Sequence, residues 1–451
     1  MIATVPGKQG SGRFARGVHP PERKGFAAEA PIEVLPNPPQ VAIPLLQHTG
    51  APCEPLVKVK DEVALGQKIG EGKGFITAPV HASVAGTVAM PSVTTLPNGR
   101  HVRTIPIKTG PTQLSAEELK ANLFGGDWPV SGLDSQAPEQ IAQAAREAGL
   151  VGLGGAAFPT HVKLTRNEKR PVDTVLLNGC ECEPYLTSDY RLMIEFPRPI
   201  ITGALLAARA TGAAQIIIAV EDNKPAAVEA LRRAADGTGV EVRVMETRYP
   251  MGGERQVIPA ALDREVPTGG LPLDVGVVVI NVGTAAALAA AVLRGRALTH
   301  RVVSVTGAGI AQPKNLLVPV GVSYRGLIDF CGGLKPDAAR VIAGGPMMGF
   351  ALNDLNVTVT KGTSGIVVLT HEDLKQIEET TCVRCGRCVD VCPLHLVPTR
   401  LALASRYQDW DMARRYHLMA CCECGCCAYV CPAAIPLVQL MRMGKAQLPN
   451  E

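Results

Sequence analysis

The sequence predicts a multidomain α/β protein, and three observations carry this prediction. At 451 residues the chain is long enough for about three domains. Helical and strand-like patterns alternate from about residue 131 to residue 296, which is typical of a parallel sheet covered by helices. Ten of the fourteen cysteines lie after residue 372, so we expect a separate cysteine-rich domain at the end.

The composition excludes two broad classes of function. A net charge of +4 and an aromatic content of 4% give no basis for nucleic-acid binding. The first residues, MIATVPGKQGSGRFARG, lack the apolar segment of a secretory signal. Without such a signal, fourteen cysteines indicate metal or redox chemistry, not a disulfide framework.

One uncharged run, from Val275 to Leu293, reaches the nominal length of a transmembrane helix. Its first part, VGVVVINV, is β-branched, and its second part, TAAALAAAVL, is rich in alanine. We therefore predict a buried strand followed by a helix, and no membrane span.

The N-terminal region reads as β structure. Residues 1–30 are rich in Gly, Pro and Arg and are predicted to be extended, and residues 31–125 contain few helical patterns. Within the latter, PLVKVKDEVALGQKIGEGKGFITAPVHASVAGTV resembles the β-sandwich of biotinyl and lipoyl domains. Lys73 falls near the hairpin that carries the modified lysine there, but Gly72-Lys73-Gly74 replaces the usual Met-Lys-Met. We therefore expect an unmodified barrel-sandwich.

The α/β domain is predicted over residues 126–298. Its strands are DTVLLN, QIIIAVE and VEVRVME, and the helices PIITGALLAARATGA and KPAAVEALRRAAD alternate with them. Residues 299–360 follow as a small α+β module, predicted as two strands and a helix that opens at Ser323.

A glycine-rich stretch within this domain, Gly152 to Ala157, fits the dinucleotide pattern G-x-G-x-x-A. Such a fingerprint must follow a strand and open a helix. Here the preceding segment, Pro138 to Gly149, has helical periodicity, and Pro159 biases Phe158 away from helix. The pattern therefore predicts a phosphate-binding loop in a setting other than a standard Rossmann turn.

Two cysteine runs define the last domain, residues 361–451. Each reads C-x-x-C-x-x-C-x-x-x-C-P, in which three thiolates bind one [4Fe–4S] cluster and the fourth reaches the other cluster. Zinc knuckles are the alternative, although they do not need the fourth Cys-Pro. Cys422 and Cys426 are out of register and are predicted to be packed thiols. The spacing assigns Cys382, Cys385, Cys388 and Cys431 to a first set, and Cys421, Cys424, Cys427 and Cys392 to a second set.

Iron–sulfur clusters pass single electrons, whereas a nicotinamide gives up a pair as hydride, and a flavin can connect the two. GLGGAAFPTHVKL, NGCECEPYLTSDYRLM and MGGERQVI resemble the flavin-bearing NADH subunit of respiratory complex I. With GVHPPE, IPLLQHTGAPCEPLVKV and the two cysteine runs, the chain is still more similar to the C subunit of Rnf-type ion-translocating ferredoxin:NAD oxidoreductases.

This resemblance implies a set of residues that bind FMN and NAD(H). The set consists of Gly152, Gly154, Gly155 and Ala156 beside the flavin and its phosphate, Phe158 toward the nicotinamide, Lys163 at the flavin side, Asn178, Glu181 and Glu183 along the isoalloxazine and nicotinamide, Gly253 and Glu254 in a G-E-E motif, and Asn281 against the flavin.

Several positions depart from the relatives or stand apart. Ala157 replaces a glycine, Arg255 replaces the second Glu of G-E-E, and Cys180 stands where relatives carry a small or acidic residue. Cys180 and Cys182 could form a redox pair, but a simple substitution in the flavin loop is favoured. The remaining thiols and two histidines, Cys53, Cys331, His81 and His161, are given no catalytic role.

The resemblance implies a peripheral subunit that passes electrons between NAD(H) and ferredoxin through FMN and two [4Fe–4S] clusters. Integral-membrane and ferredoxin-like partner subunits would couple this transfer to ion translocation, with the chain on the cytoplasmic face of the inner membrane. Two alternatives remain: a soluble reductase such as a microcompartment cobalamin reductase, and a non-catalytic scaffold whose α/β domain has lost its flavin.

Overall fold

A computed structural model describes residues 10–374 and 377–448 of the chain. The first strand, β1 (Ile32–Val34), is followed by an antiparallel β domain with one shared core. Its strands form two sheets, ordered β2-β9-β7-β4, with β8 on β9, and β3-β5-β6. They are β2 (Gln40–Pro44), β3 (Glu54–Pro55), β4 (Glu62–Val63), β5 (Lys68–Glu71), β6 (Val80–His81), β7 (Gly86–Val88), β8 (Ser92–Thr95) and β9 (His101–Thr109).

Lys73 occupies the turn between β5 and β6, which pair antiparallel, so the sequence placed it correctly at a hairpin tip. The core beneath this hairpin contains Ile43, Ile69, Val80 and Ile107, all fully buried. Neighbours along the strands, such as Gly70, His81 and Pro106, are also buried, as expected where two sheets enclose one core.

The second domain is a four-stranded parallel sheet with helices around it. Its order, β12-β11-β10-β13, reverses after β10, so the chain winds first to one side of β10 and then to the other. The elements are α1 (Ala116–Leu123), α2 (Pro138–Glu147), α3 (Thr160–Leu164), β10 (Thr174–Asn178), α4 (Ser188–Glu195), α5 (Pro197–Thr211), β11 (Gln215–Glu221), α6 (Pro225–Ala235), β12 (Glu241–Met245), α7 (Glu254–Leu262), β13 (Val277–Asn281) and α8 (Val282–Arg294).

The uncharged run from Val275 to Leu293 divides as predicted, into β13 and α8. Strand β13 stands at the end of the sheet, beside β10, yet all five of its residues are buried, which explains why its sequence is so rich in apolar residues. Among the described residues, no helix combines the length and the apolarity that a membrane crossing requires.

The third sheet has the order β1-β15-β14-β18-β16-β17. The strands and helix that follow the parallel-sheet domain are β14 (His300–Thr306), β15 (Lys314–Pro319), α9 (Tyr324–Phe330), β16 (Ala338–Ala343), β17 (Phe350–Leu352) and β18 (Gly365–Thr370). The predicted order of two strands and a helix opened by Ser323 is confirmed, and Ser323 Oγ caps α9 by accepting from Gly326 N.

Two domain limits differ from the expectation because strands distant in sequence join this third sheet. Strand β1, which was expected in the barrel-sandwich, pairs in parallel with β15. Strand β18, which lies beyond the expected limit at residue 360, is buried between β14 and β16. A short apolar strand carries no local sign of its partners, so the sequence could not place either one.

The C-terminal region is helical around a small core that includes Leu401, Leu418 and Met441. Two of its helices lie between the cysteine runs. The region contains α10 (Arg387–Asp390), α11 (Pro398–Tyr407), α12 (Trp410–Arg415), α13 (Cys426–Tyr429) and α14 (Leu437–Gln447).

The contact between α5 and α8 in the parallel-sheet domain depends on Gly203. A Cβ at this position would overlap the carbonyl group of Ala285. We expect Gly203→Ala to lower the free energy of unfolding by about 1–3 kcal/mol because the helices must separate. Denaturant titration measures this change. In α9, Gly326→Ala is the matched control, since a Cβ there meets nothing closer than 3.5 Å. Equal stability of the two variants would contradict the packing argument.

Candidate functional site

The reversal in strand order creates a crevice at the carboxyl ends of β10 and β13. Ligands of open α/β sheets bind outside such a switch point, because the loops on either side lead away from it. Asn178 ends β10 and Asn281 ends β13, and the two residues are register partners. Two polar side chains thus stand side by side at the place where this fold binds ligands.

The loop of residues 152–157 lies at this crevice. Leu153 N donates to Thr284 Oγ1 at 2.9 Å, and a Cβ at Gly154 would lie 3.5 Å from the Cβ of Asn281. The loop follows α2 and precedes α3, and Gly152 N closes it by donating to Phe158 O at 2.8 Å. The prediction that this is not a standard Rossmann turn is therefore confirmed.

Three consecutive backbone amides of the loop are free to bind an anion. Gly154, Gly155 and Ala156 are exposed, and no described residue accepts a hydrogen bond from their N–H groups. Gly155 has φ 111°, and Ala157 has φ 48°. Successive amides in such a turn form a concave anion site. The loop therefore fits a phosphate group, and its unpartnered donors fit the FMN that the sequence predicted.

Asn281 organises the amino end of α8 beside this loop. Its Oδ1 accepts from Gly283 N at 2.8 Å and from Thr284 N at 3.3 Å, and its Nδ2 donates to Asp189 Oδ2 at 2.6 Å. Burial, and next the Glu181 carboxylate, raise the pKa of Asp189. The sequence reasoning missed Asp189, although it stands in the same ECEPYLTSDY stretch as Glu181.

The two glutamates after β10 are engaged by backbone amides, a placement that the resemblance did not imply. Glu181 caps α4, where Oε1 accepts from Asp189 N at 2.8 Å and Oε2 accepts from Tyr190 N at 3.0 Å. Glu183 accepts from Met347 N at 3.1 Å and from Met348 N at 2.8 Å. Burial raises the pKa of Glu183 to about 7. Glu181 therefore fixes the start of α4, and Glu183 fixes the loop at Met347 and Met348.

Asn178 connects the crevice to the cysteines after β10. Its Nδ2 donates to Gly252 O at 2.7 Å, and Gly252 N donates to Cys182 Sγ at 3.3 Å. Burial raises the pKa of Cys182 to about 12 and that of the fully buried Cys180 well above its usual value. Thiols with such pKa values form little thiolate, so the geometry favours packing over a redox pair.

Lys163 and Glu254 face each other at the opposite side of the crevice. Lys163 Nζ donates to Glu254 Oε1 and to Val279 O, both at 3.0 Å. Gly253 is the N-cap of α7, and Glu254 is its first residue. Phe158 is half-buried at the end of the glycine loop. These residues lie on elements that converge at one edge of the sheet, and their contacts with FMN and NAD(H) stay a prediction.

Arg255 departs from the G-E-E motif because its side chain has a different task. The guanidinium donates to three carbonyl oxygens, of Val266, Pro267 and Gly270, at 2.9–3.0 Å. It thus holds the loop after α7 and is not free for a nucleotide.

The cysteines of the second set come together although they belong to different runs. Cys392, Cys421, Cys424 and Cys427 line one cavity in the C-terminal region. In the first set, burial, and after it the charges of the Cys385 and Cys431 thiols, raise the pKa of Cys388. This arrangement fits two [4Fe–4S] clusters, each bound by three cysteines of one run and by the fourth cysteine of the other run.

The second set packs against the parallel-sheet domain. Tyr249 Oη donates to Cys424 O at 2.7 Å, and the fully buried Cys426 donates weakly to Tyr249 O at 3.9 Å. Cys422 packs beside them, which supports the prediction that these two extra thiols are packing residues. In the first set, Cys385 is exposed, next to Val383 at 66% exposure. The second set thus adjoins another domain, whereas the first set has one thiol, that of Cys385, exposed at the surface.

Models of four protein families match successive parts of the chain. The RnfC barrel sandwich hybrid domain matches residues 12–111, and the Nuo51 FMN-binding domain matches residues 145–290. The SLBB domain matches residues 302–351, and the 4Fe-4S dicluster domain matches residues 374–432. The predicted cofactors, FMN and [4Fe–4S] clusters, are confirmed by these domain types.

Curated relatives match almost the whole chain. The C subunit of the Na(+)-translocating ferredoxin:NAD(+) oxidoreductase complex of Acetobacterium woodii is 43% identical, over 97% of this chain and 97% of the relative. The C subunit of the proton-translocating complex of Clostridium ljungdahlii is 42% identical, over 96% and 93%. The chain belongs to this family of C subunits. The C subunit of the ion-translocating oxidoreductase complex of Rhodobacter capsulatus is 41% identical, over 96% of this chain and 82% of the relative.

Among solved structures, an NAD+-reducing [NiFe]-hydrogenase in the H2-reduced state superposes with a TM-score of 0.49 at 21% identity. The match covers 72% of this chain and 65% of the hydrogenase chain, a likeness too loose to bear on the site.

The glycine loop should lose its flavin when a side chain is added at Gly155. No described atom lies within 4 Å of a Cβ there, so the open space is available to a ligand. We expect Gly155→Val to abolish FMN binding while both clusters remain, because only a missing Cβ allows backbone to approach a ligand so closely. Flavin and iron quantitation measures this, and NADH should no longer bleach the iron–sulfur absorbance, although dithionite still should.

Gly237→Val is the matched control, since Gly237 also has a positive φ (71°) and open space. It should keep FMN. Stoichiometric FMN and normal NADH reduction in the Gly155→Val protein would show that the loop is ordinary turn structure.

The cluster assignment is tested with Cys388, a buried member of the first set. Cys388→Ser should remove or convert one cluster and spare the second set, because Cys392, Cys421, Cys424 and Cys427 are untouched. Iron content and electron paramagnetic resonance of the reduced protein measure the loss. Cys426→Ser is the control, and it should keep both clusters. Full iron content and unchanged spectra in Cys388→Ser would overturn the assignment.

Proposed function

We propose that this chain passes electrons between NAD(H) and ferredoxin as the peripheral C subunit of an ion-translocating oxidoreductase complex. One observation carries the proposal. The open amides of residues 154–156 lie at the crevice, and hydrogen bonds lead from Asn178 in that crevice through Gly252 to Cys182. Cys182 in turn packs in the apolar cluster that contains Cys424 of the second set. A nucleotide-binding site and a metal-cluster site thus adjoin within one chain. FMN, when bound, accepts the electron pair of a hydride and passes the electrons on one at a time.

The residues of the crevice divide into phosphate-binding and ring-binding groups. The amides of Gly154, Gly155 and Ala156, with the nearby amino end of α8, provide positive potential for the FMN phosphate. Asn178 and Asn281 line the ring from the strand ends. Lys163 would contact the flavin by exchanging its contact with Glu254, and because the pair is partly exposed the exchange would cost little. Phe158, Gly253 and Glu254 would border the place of the nicotinamide.

Glu181 and Glu183 support this site from behind. Their carboxylates hold α4 and the loop around Met347, so they keep the segment after β10 in place. We assign them positioning roles and give neither a contact with the nicotinamide.

The cysteine sets give the chain an inner and an outer end. The second set adjoins the parallel-sheet domain through Tyr249, while Cys385, the exposed member of the first set, supports a surface position for that set. A partner that exchanges single electrons can therefore approach the first set, and we assign this part to the integral-membrane and ferredoxin-like subunits. We place the chain on the cytoplasmic face of the inner membrane, held there by these subunits.

For the domain architecture we propose a biotinyl/lipoyl-like, unmodified sandwich over residues 40–109 and a Rossmann-like domain over residues 116–298. A β-grasp-like module would span residues 299–370 with β1 added, and the dicluster domain would follow from residue 377.

Anaerobic purification followed by reduction with NADH tests the proposed function. We expect one FMN per chain, iron for two [4Fe–4S] clusters, and bleaching of the iron–sulfur absorbance within a stopped-flow experiment. Ferredoxin and cob(II)alamin, offered in turn as acceptors, separate the proposal from the cobalamin-reductase alternative. A protein without flavin, or one that NADH does not reduce, would contradict the proposal.

A further inference from the structure

The barrel-sandwich domain reaches the glycine loop of the neighbouring domain. Thr49 N donates to Ala157 O at 3.2 Å, and Thr49 Oγ1 donates to Ala156 O at 3.2 Å. These bonds occupy carbonyl groups of the loop, so they leave its amides free. The first domain thus forms one border of the crevice described above.

The turn between β5 and β6, residues 72–76, is fixed at this border, and we call it the sandwich hairpin. His48 Nε2 lies 3.2 Å from Thr77 Oγ1 and 3.3 Å from Ala78 N, which ties the hairpin to the loop that carries Thr49. His161 Nε2 lies 2.9 Å from Phe75 O, and the two rings meet edge to face with centroids 5.5 Å apart. His161 belongs to α3, the helix that carries Lys163.

The tip of the sandwich hairpin exposes groups that normally find partners. Phe75 is 52% exposed and Ile76 is 47% exposed, although both are large and apolar. Lys73 is exposed, and no described residue accepts a hydrogen bond from its ammonium group. The hairpin itself is rigid at its base, because Gly72 packs so closely on Thr77 that a Cβ would overlap the threonine side chain. The aromatic ring of Phe75 and the ammonium group of Lys73 are therefore exposed on a hairpin whose base is rigid.

We propose that the sandwich hairpin binds the adenylyl half of NAD(H), with Phe75 stacked on the adenine and Lys73 paired with the pyrophosphate. The inference rests on the proposed function, in which the nicotinamide stacks against the flavin at residues 152–158. A dinucleotide is longer than the flavin ring that it meets, so its other half must lie on the surface next to the loop. The hairpin is such a surface, and its two exposed groups match the chemistry of that half.

Each contact has a physical reason and a scale. An aromatic side chain stacks on any base, and its loss costs about 10-fold in affinity or more. A lysine and a pyrophosphate attract through charge, so their contact weakens as salt is added. Both groups lie outside the glycine loop and the cysteine runs, so removing either should leave both cofactors in place.

The test compares two halves of the dinucleotide as separate probes, on the FMN-loaded full chain. ADP-ribose contains the adenine and the pyrophosphate but no nicotinamide, whereas nicotinamide mononucleotide contains the nicotinamide but no adenine. Calorimetric titration of Phe75→Ala and Lys73→Ala should show ADP-ribose bound about 10-fold more weakly. Binding of nicotinamide mononucleotide should be unchanged, and the effect of Lys73→Ala should shrink at high salt.

Lys58→Ala, an exposed lysine in another loop of the same domain, is the matched control and should bind both probes as the unchanged protein does. Unaltered ADP-ribose affinity in both hairpin variants would overturn the inference, as would an equal loss for both probes. Reduction of the unchanged protein by NADH is measured in the same preparations. Its failure would contradict the proposed function, whereas normal reduction with unaltered variants contradicts only the role of the hairpin.

Discussion

The reversal of strand order between β10 and β13 is the constraint on which the rest of the structure depends. The loops that follow β10 and β13 lead away from this point on either side, so the ends of the two strands stay accessible. Every segment expected at the flavin site has to reach this one place. The glycine loop, the segment after β10, the start of α7 and the start of α8 all do so. Their separation in the sequence is large, and only the sheet brings them together.

Buried charges then hold these segments in position. Lys24 Nζ donates to the carbonyl oxygens of Glu181, Glu183 and Leu186 at 2.7–3.0 Å, and burial lowers its pKa. Glu221 and Lys224 form an ion pair at 2.8 Å, with 1% of each side chain exposed. Loss of one partner from such a pair costs about 3–5 kcal/mol because the other charge stays buried. Through Lys24, the N-terminal segment thus fixes the backbone that follows β10 at the site.

The regular elements could be predicted because their signals are local. Strand β11 and helix α6 follow periodicity, and the division of Val275–Leu293 follows the change from β-branched residues to alanine. The dicluster domain could be predicted because cubane ligation fixes the spacing of thiolates, and the division of the cysteines into two sets stays a prediction. The hydrogen bonds of Glu181 and Glu183 could not be predicted from the sequence, because their partners are backbone amides, which every residue except proline carries. The same holds for the membership of β18 in the third sheet and for the contact between Thr49 and the glycine loop, because neither leaves a local pattern.

The unequal exposure of the two cysteine sets has a consequence for the durability of the protein. Tyr249 and the packing around Cys426 shield the inner set from solvent, whereas Cys385 and Val383 leave the outer set open to it. Oxygen and chelators reach a cluster through the same opening that a redox partner needs. If the proposed function is right, we expect the outer set to decay first when the chain is separated from its complex, and we expect a docked partner to protect it by covering the exposed Cys385.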